Sequence, residues 1–228
     1  TGDFVITNRL GGCPVVSIGS LNNFRGLTSV TIPSGVAEID PGAFFFCTSL
    51  TNVTIPASVT RLGYRCFSLC DSLMSVNVEA ANPAYCSRDG VLFDKGQTKL
   101  IKYPAGRSGH YTIPNSTTTI GLGAFSGAHL RSVAIPNSVT EIASEAFCHC
   151  SGLMDFSTGE GHSVFSSPDG VLFNKDQTAL IQFPRGRSGR FTIPPGVKHI
   201  DSVAFAFCKN LTDVTIPDSV TSLDTMAF

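Results

Sequence analysis

Hydrophobic residues recur along this chain in a fixed order. The string Leu-x-x-Val-x-Ile-Pro occupies Leu50–Pro56 and returns from Leu27, Leu130 and Leu211. Alternating apolar and polar positions, with β-branched residues at the apolar ones, are typical of a strand with one buried face. Because proline cannot donate a backbone hydrogen bond, we predict that each strand ends there.

A longer template surrounds each string: Ile-Pro-x-x-Val-x-x-Ile/Leu-x-x-x-Ala-Phe-x-x-Cys-x-x-Leu-x-x-Val-x-Ile. Pro33 and Pro56 are 23 residues apart, and Pro114 and Pro136 are 22 apart. Periods of about 20 to 29 residues with leucine-like spacing indicate a repeat architecture. We predict a strand, a second short extended segment, and a helical or 3₁₀ turn at Ala-Phe-x-x-Cys in each unit.

A second period of 80 residues contains the first. Asp169–Phe173 repeats Asp89–Phe93, and an apolar run after a polar turn follows each copy. We predict that residues 79–112 and 159–192 are inserted units that contain β-hairpins. The fold class expected is an α/β, β-rich repeat solenoid forming one domain over residues 1–228, with a degenerate first unit at 1–32. The last unit stops in mid-template, so we expect a longer parent chain.

Stacking identical units should place identical residues in ladders that form one continuous core. The aromatic ladder predicted is Phe44, Phe67, Phe125, Phe147 and Phe205. A cysteine ladder should follow, and buried unpaired thiols suit it better than disulfides; its members are Cys47, Cys70, Cys150 and Cys208. Cys148-His149-Cys150 has no second Cys/His pair at zinc-finger spacing, so we expect no metal and no cofactor.

Charge and composition exclude several functions. The net charge of −1 does not favour nucleic-acid binding, and no apolar run approaches the ~18 residues of a membrane span. None of the five histidines (His110, His129, His149, His162 and His199) recurs beside a matched Ser or Cys partner. We therefore expect them on the surface, without chemistry, in a protein that is not an enzyme.

Two candidate surfaces remain. The outward strand residues should line one broad face that suits a protein contact; they are Ser29, Thr31, Asn52, Thr54, Ser75, Asn77, Ser132, Asp155, Asp213 and Thr215. A basic patch of Arg185, Arg187 and Arg190, matched by Lys99, Lys102 and Arg107, suits an anionic glycan or an acidic partner. The alternative for the patch is a set of solvated charges.

Two stretches carry a family resemblance. Ser49–Gly63 followed by Cys66–Cys70, and Asn137–Ile142 followed by Ala146-Phe147, resemble the BspA-like, or Treponema pallidum-type, leucine-rich repeat. The resemblance implies a right-handed curved solenoid on secreted or surface proteins of bacteria and some mucosal protists. It also implies adhesion to host extracellular matrix or to other cells. We expect a non-enzymatic module that binds protein or glycan; the alternative is a spacer with no ligand.

Overall fold

The computed structural model describes residues 2–228, which form a solenoid of stacked coils. Thr1, the first residue of the predicted unit 1–32, lies outside the described residues. Each full coil has a short-strand side, then a corner made of turns, which we call the turn corner, and then a long-strand side. Identical template positions pair in parallel from coil to coil, as Val30 does with Val53 and Val53 with Val76. The repeat solenoid predicted from the sequence is therefore confirmed.

The long-strand side consists of three separate parallel sheets. The first sheet contains Gly2–Val5, Leu27–Thr31, Asn52–Ile55 and Ser75–Val78; the second contains Ser108–Thr112, His129–Ile135 and Asp155–Thr158; the third contains Gly189–Thr192 and Leu211–Thr215. A proline follows several of these strands and turns the chain. The carbonyl of Pro56, for example, accepts a hydrogen bond from the amide of Val59 at 3.2 Å.

The short-strand side is built mostly from two-residue strands. They are Ser17–Ile18, Glu38–Ile39, Arg61–Leu62, Thr119–Ile120, Glu141–Ile142, His199–Ile200 and Ser222–Leu223. The 79–112 unit adds Tyr85–Arg88, Val91–Asp94 and Lys99–Lys102, and the 159–192 unit adds Phe165–Ser166, Leu172–Asn174 and Ala179–Gln182. Near the start of the chain, Arg9–Leu10 and Cys13–Pro14 form a small hairpin.

Residues 79–112 and 159–192, which we call the hairpin coils, are not inserts between coils. Val91–Asp94 pairs antiparallel with Lys99–Lys102. Lys99–Lys102 then pairs in parallel with Thr119–Ile120 of the next coil. Each hairpin unit therefore replaces a coil of the solenoid, which corrects the expectation of an interrupted array.

The hairpin coils divide the long-strand side. Gly90 lies at the tip of the hairpin formed by Tyr85–Arg88 and Val91–Asp94. Its carbonyl accepts a hydrogen bond from the amide of Val76 at 2.8 Å. A Cβ atom on Gly90 would lie 2.8 Å from Cβ of Ser75, so a side chain does not fit there. Gly170 approaches Asp155 in the same way. These two tips lie where one sheet ends and the next begins.

The turn corner is not helical, contrary to the sequence prediction. Within residues 2–228 the only helix is one 3₁₀ turn at Pro168–Gly170, so the fold is an all-β solenoid rather than an α/β one. Two residues in each full corner, four positions apart, have positive φ, and such residues cannot continue a right-handed helix. These pairs are Gly42 and Phe46, Arg65 and Leu69, Gly123 and Gly127, Glu145 and His149, and Val203 and Phe207.

The aromatic core forms three runs of stacked rings rather than one ladder. Phe44 stacks on Phe67 with ring centroids 5.5 Å apart. The hairpin coils contribute two rings that the sequence template missed, Tyr103 and Phe183. Tyr103, Phe125 and Phe147 form the second run, and Phe183, Phe205 and Phe228 form the third.

Three large hydrophobic clusters match the three sheets and the three runs of rings, and a small fourth cluster of Cys148, Val203 and Ala206 lies at the turn corner. Leu92 packs into the first cluster, whereas its neighbours Val91 and Phe93 pack into the second. In the same way, Leu172 packs into the second cluster and its neighbour Val171 packs into the third. These strands are buried on both faces, which explains why Val-Leu-Phe is apolar without alternation.

Truncating a central ring should destabilise the solenoid strongly. Phe125 is fully buried and contacts Tyr103, Tyr111 and Phe147. Phe125→Ala should lower the free energy of unfolding by about 3–5 kcal/mol, measured by urea denaturation. The control is Tyr64→Ala, whose side chain is 65% exposed. Equal losses in both variants would contradict the stacked core.

The left-handed corner residues give a second test. Gly127 has φ of 78°, and a Cβ there would lie 3.3 Å from Leu69. Gly127→Ala should therefore lower the free energy of unfolding by about 1–2 kcal/mol. Gly196 is the matched control, because its φ is not in the left-handed region and a Cβ would meet nothing within 4 Å. Gly196→Ala should be neutral or stabilising by up to about 1 kcal/mol, and the reverse order would refute the assignment.

Candidate interaction surfaces

The long-strand face carries all ten residues predicted for it, and each is half-buried or exposed. In the first sheet these side chains bond to one another: Ser75 donates to Asn52 of the preceding coil at 2.7 Å, and Asn77 donates to Ser75 on the same strand at 3.2 Å. Asp3 accepts from Ser29 at 2.6 Å. The face is thus an ordered row of small polar groups.

This face is not one broad surface, because the hairpin tips separate three facets. The first facet carries Ser29, Thr31, Asn52, Thr54, Ser75 and Asn77; the second carries Ser132 and Asp155; the third carries Asp213 and Thr215. The later facets bear charged or titratable pairs. His110 bonds to Ser132, and Arg190 lies 3.9 Å from Asp213.

The three arginines predicted as a basic patch do not lie together on one surface. Nε of Arg187 donates to the carbonyl of Met154 at 2.6 Å, as Arg107 does to Met74 in the first hairpin coil. Arg190 lies exposed on a long strand. Arg185 is 2% exposed in the turn corner. Arg187 holds a turn and Arg185 is buried, so the prediction of an exposed patch of three arginines is wrong.

Two equivalent clefts lie between the short-strand side and the turn corner. The first, of about 310 Å³, is lined by Tyr85, Asp94 and Lys102; the second, of about 230 Å³, is lined by Gln182 and Asp201. They arise because each hairpin coil has a shorter corner than the coils beside it. Apart from the 80-residue period, no pattern in the sequence indicates these clefts.

Lys102 is the buried cation of the first cleft. Its Nζ donates to the carbonyl of Ser126 at 2.8 Å, and burial lowers the Lys102 pKa to about 8. Buried lysines with lowered pKa occur at catalytic sites. Gln182 occupies the equivalent position and donates to the carbonyl of Ala204 at 2.9 Å. Since an amide makes the same link, we interpret Lys102 as a structural donor.

The histidines hold local structure in several coils. His162 is buried, and its Nδ1 accepts hydrogen bonds from the amides of Val164 and Phe165, so its predicted surface position is wrong. His199 lies 3.1 Å from Asp201 and 3.3 Å from Asp224. In residues 2–228 this trio is the only group of three or more His, Cys, Asp or Glu residues close enough to share a metal ion. We interpret it as a set of polar contacts that links neighbouring coils through His199 and Asp224.

The cysteine ladder has a specific hydrogen-bond pattern. The Sγ atoms of Cys47, Cys70 and Cys150 donate to main-chain carbonyls of the adjacent coil at 3.1–3.3 Å. Burial raises the pKa of Cys70 and of Cys150 to about 12. The position therefore suits a small side chain with one weak donor, and the thiols there are protonated and shielded.

The turn corner of the second block contains a further cleft, of about 410 Å³. His149, Arg185, Phe207 and Lys209 line it, with Asp71 and His129 from earlier coils. Sequence reasoning considered His149 and Arg185 separately and did not bring them together. The signal in the sequence is that both positions differ between the two 80-residue blocks: His149 replaces Leu69, and Arg185 replaces Ala105.

The repeat pattern matches the model of the BspA type leucine rich repeat region in six copies, over residues 16–87 and 183–228, just over half of the chain. The chain belongs to the BspA-type leucine-rich repeat family. The same coils continue through residues 88–182, between the two matched stretches. No match was found among curated proteins.

Solved structures of leucine-rich repeat proteins share this fold. A leucine rich cell surface protein from Faecalibacterium prausnitzii is 28% identical with a TM-score of 0.68, over 98% of this chain and 59% of that one. A leucine-rich repeat protein from Eubacterium ventriosum is 23% identical with a TM-score of 0.62, over 100% and 58%. The pneumococcal vaccine antigen PcpA is 19% identical with a TM-score of 0.56, over 95% and 61%.

This BspA-type chain therefore spans about three-fifths of the length of the solved proteins that it resembles. None of the helical structure in residues 2–228 has the length and apolar character that crossing a membrane requires. Family and fold together identify a leucine-rich repeat module of the kind that serves protein interaction or the cell surface.

Lys102 gives a pH test of the first cleft. Its folded pKa of about 8 lies below the ordinary lysine pKa of 10.5, so folding releases a proton between these pH values and stability rises with pH there. Relative to Lys102→Gln, the wild type should gain about 2 kcal/mol between pH 7.5 and pH 10 in urea denaturation. Lys99→Gln, on the same strand, is the control. A parallel pH dependence in wild type and Lys102→Gln would contradict a buried ammonium.

Proposed function

We propose that the chain is a non-enzymatic, cell-surface or secreted interaction module that binds a protein or glycan partner through its long-strand face. The observation that carries this proposal is the in-register row of exposed polar side chains on the first facet, with Asn52, Thr54 and Asn77 exposed. Repeat solenoids commonly present such extended surfaces to partners. The partner expected is a host extracellular-matrix or cell-surface component, so the biological role is adhesion.

Two comparisons support a location at the cell surface. The Faecalibacterium prausnitzii relative is a leucine rich cell surface protein, and PcpA is a vaccine antigen. The face can take part in a protein contact, because burying a polar group costs little free energy when a partner supplies a matching hydrogen bond. The charged fraction of 14% is low, so long-range electrostatic steering contributes little.

The alternative is a spacer that presents another domain and binds nothing itself. One observation favours it: on the first facet Ser29, Asn52, Ser75 and Asn77 already bond to neighbouring side chains. Groups that are satisfied within the protein offer less to a partner. A solenoid whose coils stack at fixed spacing would also hold attached domains at a defined distance.

Charge substitutions on the first facet distinguish binding from spacing. Asn52→Lys and Asn77→Lys should each weaken binding at least about tenfold in a surface-based panel of extracellular-matrix and mucosal proteins, because each buries an unpaired charge in the contact. Thr60→Lys, exposed away from the long strands, is the matched control. Loss in the facet variants alone supports the proposal. Equal weakening of binding by all three variants would contradict a contact at the first facet. If no protein of the panel binds the wild type, the spacer is favoured.

A further inference from the structure

The two 80-residue blocks differ at one turn corner. They share the Asp-Gly-Val-Leu-Phe and Gly-Arg-Ser-Gly strings, but three positions that meet at the corner change together. Each change places an aromatic ring or a permanent cation in the second block: Leu69 corresponds to His149, Ala105 to Arg185, and Gly127 to Phe207. These three second-block residues and Lys209 line the cleft of about 410 Å³.

Arg185 is a buried guanidinium without a charge partner. It is 2% exposed, and its Nη2 reaches only the carbonyl of Val203 at 3.4 Å and Sγ of Cys148 at 3.8 Å. Its Nε and Nη1 have no hydrogen-bond partner and no solvent contact, and among the residues that the structure describes no carboxylate lies in salt-bridge range of it. An unpaired buried charge is costly. Ala105 fills the equivalent position, so packing does not require an arginine.

One exposed aromatic side chain, Phe207, lies over this guanidinium, and a second, His149, lies beside Phe207. Phe207 is 56% exposed, and its ring centroid lies 5.5 Å from Cζ of Arg185. The His149 ring lies 4.6 Å from the Phe207 ring. Both residues have left-handed φ values of about 60°, the conformation that glycine adopts at position 127. The corner accepts an aromatic residue in this conformation, because Phe46 has φ of 60° at the matching position of an earlier coil.

We propose that this corner binds an acidic sugar residue, with its carboxylate on Nη1 and Nη2 of Arg185 beside Lys209 and its ring against Phe207. Binding displaces the exposed Phe207 ring from the guanidinium and gives the terminal nitrogens, of which Nη1 has no partner, the planar, bidentate acceptor that arginine prefers. The cleft is short and made of turns rather than of a free strand edge, so it suits a sugar ring better than an extended peptide. This inference rests on the proposed interaction function and gives it a ligand class.

The surroundings of His149 supply a readout. Burial lowers the His149 pKa first, and Arg185, Arg65 and Lys209 lower it further, while Asp71 raises it. A bound carboxylate would offset these cations and raise the His149 pKa. Removing Arg185 would also raise that pKa and would abolish the response to the ligand. The His149 signal in an NMR titration therefore reports both the site and its occupancy.

The test uses D-glucuronate as the probe, D-glucose as the neutral control and N-acetyl-L-glutamate as the carboxylate that lacks a sugar ring. With wild-type protein only glucuronate should shift the His149 resonance in a saturable way. Arg185→Ala should weaken that binding about tenfold or more, and Phe207→Gly, which installs the residue found at position 127, should weaken it less. Arg190→Ala, which removes an exposed arginine outside the corner, should leave binding unchanged.

The Arg185→Ala variant should fold, because alanine is found at the equivalent buried position, Ala105. A loss of glucuronate binding in this variant can therefore be assigned to the missing guanidinium. Arg185→Ala should retain or raise the midpoint of thermal unfolding, since it removes an unpaired buried charge. Absence of saturable glucuronate binding to the wild type, or unchanged binding to Arg185→Ala, would overturn the proposal. Equal binding of N-acetyl-L-glutamate would overturn the assignment to a sugar. Partner binding that responds to Asn52→Lys but not to Arg185→Ala would leave the strand-face function standing while this site fails.

Discussion

Everything in this molecule depends on parallel stacking of identical template positions from coil to coil. A single coil cannot bury its Ile, Val and Phe side chains, because it has no second layer. The next coil supplies that layer, and its strand must pair in register for the buried positions to meet. Val30, Val53 and Val76 form one such column. The rows of polar side chains on the outer surface follow from the same register, because each outward position lies beside the same template position of the next coil.

The sequence predicts this stacking well because its physical signals are local. Alternation along the strand and proline at the strand end can each be read from one unit, and the period of 23 can be read from two successive units. The inward positions of Phe44, Phe67, Phe125, Phe147 and Phe205 follow from the same template, and all five side chains are buried. The family resemblance pointed to the same fold and added no residue-level site.

The sequence could not predict the turn corners, because backbone conformation there is imposed by the stacked neighbours. Phe46, Leu69 and His149 have left-handed φ although none is glycine. Hydrogen bonds between coils, such as the Phe46 amide to the Ser68 carbonyl at 3.0 Å, hold that conformation. The same reason hid the candidate sites: Arg185 looks like an exposed loop residue until the adjacent coils enclose it. Contacts between coils decide whether Arg185 is buried, and the sequence of a single repeat unit does not show those contacts.

The buried strands Val91–Asp94 and Leu172–Asn174 also set how the molecule comes apart. Each separates two hydrophobic clusters and coincides with a break between sheets. Cooperativity in a repeat array passes only between neighbours, so these strands are the boundaries at which it is weakest. Heat or mechanical tension should therefore open the solenoid in three steps instead of one. A protein built this way can lose one segment under load while the others stay folded and keep their surfaces in place.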